Sequence, residues 1–171
     1  MKMTRKIGRA IAAWWPTALT LAAVLWLTLA QDPVPDLKEV PLFPGADKVV
    51  HFIMFGGLTG VVILDTIRLR RARLRQDIAE EGDAGAPRTK KERRLLKPAF
   101  LIILGVVMVA LAWGDELAQG AMGLGRSRDV MDFMADTGGI ITALIIAEPV
   151  CSWLLSKICR HSRLAEKVAE R

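Results

Sequence analysis

Nine polar residues of this chain have types and spacings that suit chemistry. Asp47, His51, Asp115, Glu116, Gln119, Asp132 and Asp136 stand at the edges of long apolar runs. Arg126 and Asp129 fall in the short polar stretch between two of those runs. If the runs cross a membrane, all nine reach the same side of it. Ionisable groups near lipid are expensive, so they are rare there and usually functional.

Spacing groups them further. Asp47 and His51 are i and i+4, one helix face. Asp115 and Gln119 share that separation, and Asp129, Asp132 and Asp136 follow at steps of three and four. Three uses fit. Carboxylates with an imidazole and a carboxamide oxygen can hold a divalent cation, and Glu116 with Asp132 is the candidate pair. Arg126 with Lys48 or Arg128 can bind phosphate, since a guanidinium matches phosphate with two hydrogen bonds. His51 beside Asp47 can serve as an oriented general base. The candidate catalytic residues are therefore His51, Asp47 and Asp132, and the candidate substrate-binding residues are Lys48, Gln119, Arg126 and Asp136. A purely structural use stands beside each. Acids and arginines at helix ends lock loops together, and Asp129 is placed to cap the last helix. For Asp115 and Asp129 that use weighs as much as chemistry.

Four elements must position these groups. Ala10 to Ala30 is 21 residues without a charge, and a bilayer core of about 30 Å takes roughly 20 apolar residues in a helix. Pro16 sits near its start, where it can kink the helix. Val49–Leu64, Pro98–Gly114 and Phe133–Leu155 are three further runs. The spans are read at 10–30, 49–67, 98–118 and 131–155 of one 171-residue domain, with a basic loop at 68–97. Arg68 to Glu81 reads as a helical extension of the second span, and Gly82 to Thr89 as a disordered stretch. The first run also resembles a signal peptide ending at Thr28-Leu29-Ala30, but its apolar core exceeds the roughly 7–15 residues of that class. It reads as a retained span.

Charge gives the orientation. Arg68 to Lys97 holds eleven basic residues, and basic residues crowd both chain ends. Gln31–Lys48 has two basic residues against four acidic ones, and Asp115–Asp136 has two against five. The positive-inside rule then places both termini and the middle loop in the cytoplasm. The polar cluster faces outward. Charge blocks of this kind explain the pI of 9.7 without nucleic acid. A 52% hydrophobic chain with mean hydropathy +0.31 is also more apolar than a soluble domain, at about 45–50%. Cys151 and Cys159, with only His161 nearby, match no strong zinc pattern and read as reduced thiols. Gly56 and Gly60 in the second span, and Ala135, Gly139 and Ala143 in the fourth, form small-residue faces. These two spans are expected to touch.

The same residues carry a family resemblance. Asp47-Lys48-Val49-Val50-His51 with Gly56-Gly57-Leu58, then Asp115-Glu116-Leu117-Ala118-Gln119, then Arg126-Ser127-Arg128-Asp129-Val130-Met131-Asp132 and Asp136-Thr137-Gly138-Gly139, resemble the VanZ family. The resemblance runs from about Asp47 to Ala143, interrupted by the basic loop. Asp136 departs from it, standing where the family pattern has Asn; this adds charge that favours a cation, or a protonated carboxyl in place of the amide. The family is named for a protein that gives low-level resistance to the glycopeptide teicoplanin. The resemblance implies a small multi-pass protein of a bacterial-type plasma membrane, with its polar motif on the outer face, and brings no settled reaction.

The expectation is thus an all-α four-helix membrane bundle with both termini cytoplasmic. Its outer site is expected to bind or process an anionic envelope lipid or lipid-linked wall precursor, with a divalent cation as the candidate cofactor. The alternative is a non-enzymatic membrane module acting on an envelope-synthesis protein.

Overall fold

The structure, a computed structural model, describes residues 14–30, 44–81, 96–122 and 129–169. These form four helices: α1 (Trp15–Leu29), α2 (Ala46–Glu81), α3 (Pro98–Met122) and α4 (Val130–Ala169). Two of them are long and apolar enough to cross a membrane, α2 over Ala46–Arg73 and α3 over its whole length. The extension of α2 to Glu81 is present. Helix α4 runs well past the expected end at 155, through Pro149 to Ala169.

Pro16 does not kink α1. It falls in the first turn, where the missing N–H has no helical partner to lose. At the start of α2, Gly45 adopts φ +85°, a left-handed conformation that suits glycine, and its carbonyl accepts the Lys48 and Val49 N–H groups.

Helices α2 and α4 make the most extensive contact, with α3 packed on α4 and α1 on α2. The small-residue faces account for the central pair. A Cβ on Gly139 would overlap the Phe52 carbonyl oxygen, and one on Gly56 would lie 3.1 Å from the Gly139 carbonyl oxygen. Only glycine lets the backbones approach this closely. Around the contact lie Phe55, Leu58, Ile63, Ile140 and Ala143.

Acids are buried beside the apolar core, and large apolar side chains also cover the exterior. Asp136, Asp65, Asp115 and Glu116 are buried, whereas Ile102, Val106 and Ile145 are each more than 60% exposed. A water-soluble bundle sorts these types the other way.

Helix α1 is pinned at both ends by acids from other helices. Asp65 Oδ2 accepts the Thr17 N–H at 3.2 Å and the Thr17 hydroxyl at 2.8 Å. Trp14 supplies no side-chain cap, so Asp65 fills that role across the helix interface and meets the positive end of the α1 dipole. Its other oxygen lies 3.6 Å from Arg68, three residues along the same helix. At the far end the Thr28 hydroxyl donates to Asp115 at 2.8 Å.

Candidate functional site

The end of α1, the start of α2, the end of α3 and the start of α4 lie together, because successive helices alternate in direction. Thr28, Lys48, His51, Asp115, Glu116, Gln119, Asp129, Asp132 and Asp136 all gather there, in two layers and one lateral network.

The outer layer is built on Lys48. Its Nζ donates to Asp47 Oδ2 at 2.7 Å, Asp129 Oδ2 at 2.5 Å and Asp132 Oδ1 at 2.6 Å. An ammonium has three N–H donors, and this arrangement engages all of them. The Lys48 charge holds the Asp129 carboxyl below the usual carboxylate range. Asp129 also accepts the Met131 N–H at 2.8 Å through its other oxygen, capping α4 as its position suggests.

The inner layer is His51, Glu116 and Asp136. His51 Nδ1 lies 3.0 Å from Asp136 Oδ1, and His51 Nε2 lies 4.0 Å from Asp132 Oδ2. Glu116 Oε2 accepts the Asp129 N–H at 3.2 Å, tying the end of α3 to the start of α4. Glu116 Oε1 and Asp136 Oδ2 are buried without a hydrogen-bond partner.

Asp115 forms the lateral network. One oxygen accepts Thr28, and the other accepts the Gln119 amide at 2.9 Å. All three side chains are buried, so this part of the cluster joins α1 to α3. The structural use weighed for Asp115 is the one its contacts express, and Gln119 directs its NH₂ at Asp115.

Two pairings differ from those read along the chain. His51 is oriented by Asp136, and Asp47 turns instead to Lys48. Spacing puts Asp47 and His51 on one face, but Asp47 sits in the open first turn of α2 beside a stronger partner. Glu116 has Asp136 in its group where Asp132 was expected, because Asp132 is drawn outward by Lys48. Among the described residues two sets of three donors lie close enough to hold an ion: His51, Glu116 and Asp136, and Asp47, Asp129 and Asp132.

Arg126 and Arg128 lie outside the described residues, as do the side chains of Cys151 and Cys159. Thr17 and Thr28 were not singled out in the sequence. The available signal was a hydroxyl in the last turn of the first run, at the depth of the acids.

This arrangement can hold a cation, orient an imidazole and hold four helix ends in register. No protein-family model, curated protein or solved structure matches the chain.

Proposed function

We propose that this chain is a VanZ-like multi-pass protein of a bacterial plasma membrane. In this reading four spans place both termini in the cytoplasm, and the polar cluster opens on the outer face. There it binds the anionic headgroup of an envelope lipid or a lipid-linked cell-wall precursor.

The observation that carries the reading is the convergence of polar side chains from all four helices at one end of a bundle with an apolar exterior. Building such a cluster costs stability, which argues for a use. An apolar groove of about 750 Å³ between α3 and α4 supports a lipid over a soluble anion. Trp113 and Phe133 line it, in edge-to-face contact at 5.2 Å. They neighbour Asp115 and Asp132 in the chain, so a tail in the groove would carry its headgroup to the cluster. Lys48 is committed to three carboxylates. Arg126 is therefore the group expected to meet a phosphate, and any proton transfer would run through His51, held by Asp136.

The test is lipid co-purification from membranes. Phospholipid or lipid-linked precursor bound to the wild type should be lost in Arg126→Ala. Equal lipid content in the two proteins would sink the reading. Impermeant thiol labelling of intact cells should reach Asp36→Cys and spare Gly85→Cys in a background with Cys151 and Cys159 replaced by serine. A teicoplanin susceptibility assay tests whether the resemblance extends to resistance.

A second reading, a module acting on an envelope-synthesis protein, has one observation in its favour. Gly57 and Gly60 have open space where a Cβ would be, and they line a groove of about 410 Å³ between α2 and α4. A small-residue face of this kind suits a partner's transmembrane helix. Recovery of one envelope protein, abolished by Gly60→Leu and indifferent to His51→Ala, would favour it.

A further inference from the structure

We propose that His51, Glu116 and Asp136 form a binding site for a divalent cation of the zinc or manganese class. This inference goes beyond the lipid reading and stands without it.

Three helices supply the donors: α2 gives His51, α3 gives Glu116 and α4 gives Asp136. One donor atom of each lies within 4.8 Å of the other two. Ligands about 2.0–2.2 Å from a tetrahedral ion stand about 3.3–3.6 Å from one another. The set therefore closes on an ion by small side-chain rotations.

The second observation is independent of clustering. Glu116 and Asp136 are 3% and 0% exposed, and each has one carboxylate oxygen with no partner. Each is anchored by its other oxygen, Glu116 by the Asp129 N–H and Asp136 by His51. The lone oxygens thus belong to buried groups that are already fixed. A buried carboxylate oxygen left unpaired is costly, and an ion removes that cost.

Charge separates this group from the outer one. Asp47, Asp129 and Asp132 already surround the Lys48 ammonium. Glu116 and Asp136 have no ammonium or guanidinium of their own among the described residues. Two carboxylates and a neutral imidazole balance a divalent ion. One nitrogen and two oxygen donors suit zinc or manganese better than calcium, which takes six to eight oxygens. Three protein donors are one short of a closed structural zinc site, so a position is left for water or a headgroup oxygen. Binding needs neutral His51 and ionised acids, so it releases protons and weakens in acid.

The experiment uses the purified full chain in detergent, stripped with chelator and titrated separately with Zn²⁺, Mn²⁺ and Mg²⁺. Calorimetry and metal analysis should give about one equivalent of Zn²⁺ or Mn²⁺ per chain. Glu116→Gln and the near-isosteric Asp136→Asn should each weaken binding by more than about 10-fold. Asp129→Asn should leave the stoichiometry unchanged. Helix content from circular dichroism shows that each variant is folded. Co²⁺ added to the wild type gives a readout independent of any variant, a visible band of a nitrogen and oxygen site. A thiolate charge-transfer band would put the ion on Cys151 or Cys159 and overturn the proposal. So would the absence of saturable binding, or binding lost in Asp129→Asn and kept in Asp136→Asn. Lipid content measured on the same samples separates the two readings. Metal without lipid sinks the lipid reading alone, and lipid without metal sinks this one.

Discussion

A single methyl group at Gly139 should drive the two central helices apart. The added Cβ would overlap the Phe52 carbonyl oxygen and lie 3.0 Å from the Gly56 amide nitrogen. Both obstacles are backbone, so no side chain can swing aside. Two effects oppose each other. Alanine gains about 0.8–1.0 kcal/mol over glycine in a helix interior. Overpacking costs about 1–3 kcal/mol, and a backbone obstacle puts this case at the upper end. The net loss is about 2 kcal/mol. A chain of this size shifts by about 2–4 °C per kcal/mol, so melting in detergent should fall by about 4–8 °C. Gly60→Ala on α2 is the control. Its Cβ meets nothing within 4 Å, so only the propensity gain acts. Its melting point should rise by about 2–4 °C. The site should respond as well. Asp136 lies one turn before Gly139 on α4, and His51 lies beside Phe52 on α2. Separating the helices lengthens the 3.0 Å contact between His51 and Asp136, which the His51 ring signals should report by nuclear magnetic resonance. A Gly139→Ala protein that melts at or above the wild-type temperature would refute the close-contact argument.

Three more outcomes follow from the geometry. Lys48→Met removes the ammonium from three acids and should cost about 1–3 kcal/mol, discounted for partial exposure; the melting deficit should shrink in acid as the Asp129 carboxylate protonates. Asp65→Ala strips the Thr17 N–H and hydroxyl of their acceptor and should cost about 1–3 kcal/mol; faster hydrogen exchange confined to the first turn of α1 is the expected signature, and a uniform increase would count against the pin. Lys48 lowers the folded-state value of Asp129, so the stability Asp129 contributes is present above its unfolded value of about 3.9 and is lost as pH falls through the lower folded value. The melting difference between wild type and Asp129→Asn should therefore persist to about pH 4 and close only below it, and closure by pH 6 would contradict the pairing.

Much of the architecture is legible in the residues themselves, because it rests on local periodicity and composition. The apolar runs give the helices, since a long uninterrupted run has few other ways to satisfy its backbone. The acids sit at alternating run ends, so any up-and-down bundle brings them to one end. Gly56 and Gly139 foretell the α2–α4 contact, because a missing Cβ is a property of residue type. Asp129 as a cap and Asp65 beside Arg68 are local as well, settled within a turn of helix.

Partner choice across helices is different. Asp47 and Asp132 both stand at helical spacing from other site residues, yet each bonds to Lys48, and His51 goes to Asp136. Such choices turn on differences of an ångström between side chains on separate helices. The rotation and separation of α2 and α4, fixed where Gly139 meets Phe52, set those distances. The threonines of α1 show the same limit. In the chain Thr17 and Thr28 look like tolerated polar residues in an apolar run. Only the packing of α1 against α2 and α3 brings Asp65 and Asp115 to them. Sequence thus determined which groups reach the common end of the bundle, through period and residue type. The tertiary structure decided which carboxylates are neutralised by Lys48 and which are left with an oxygen unpaired, because that depends on how the helices cross.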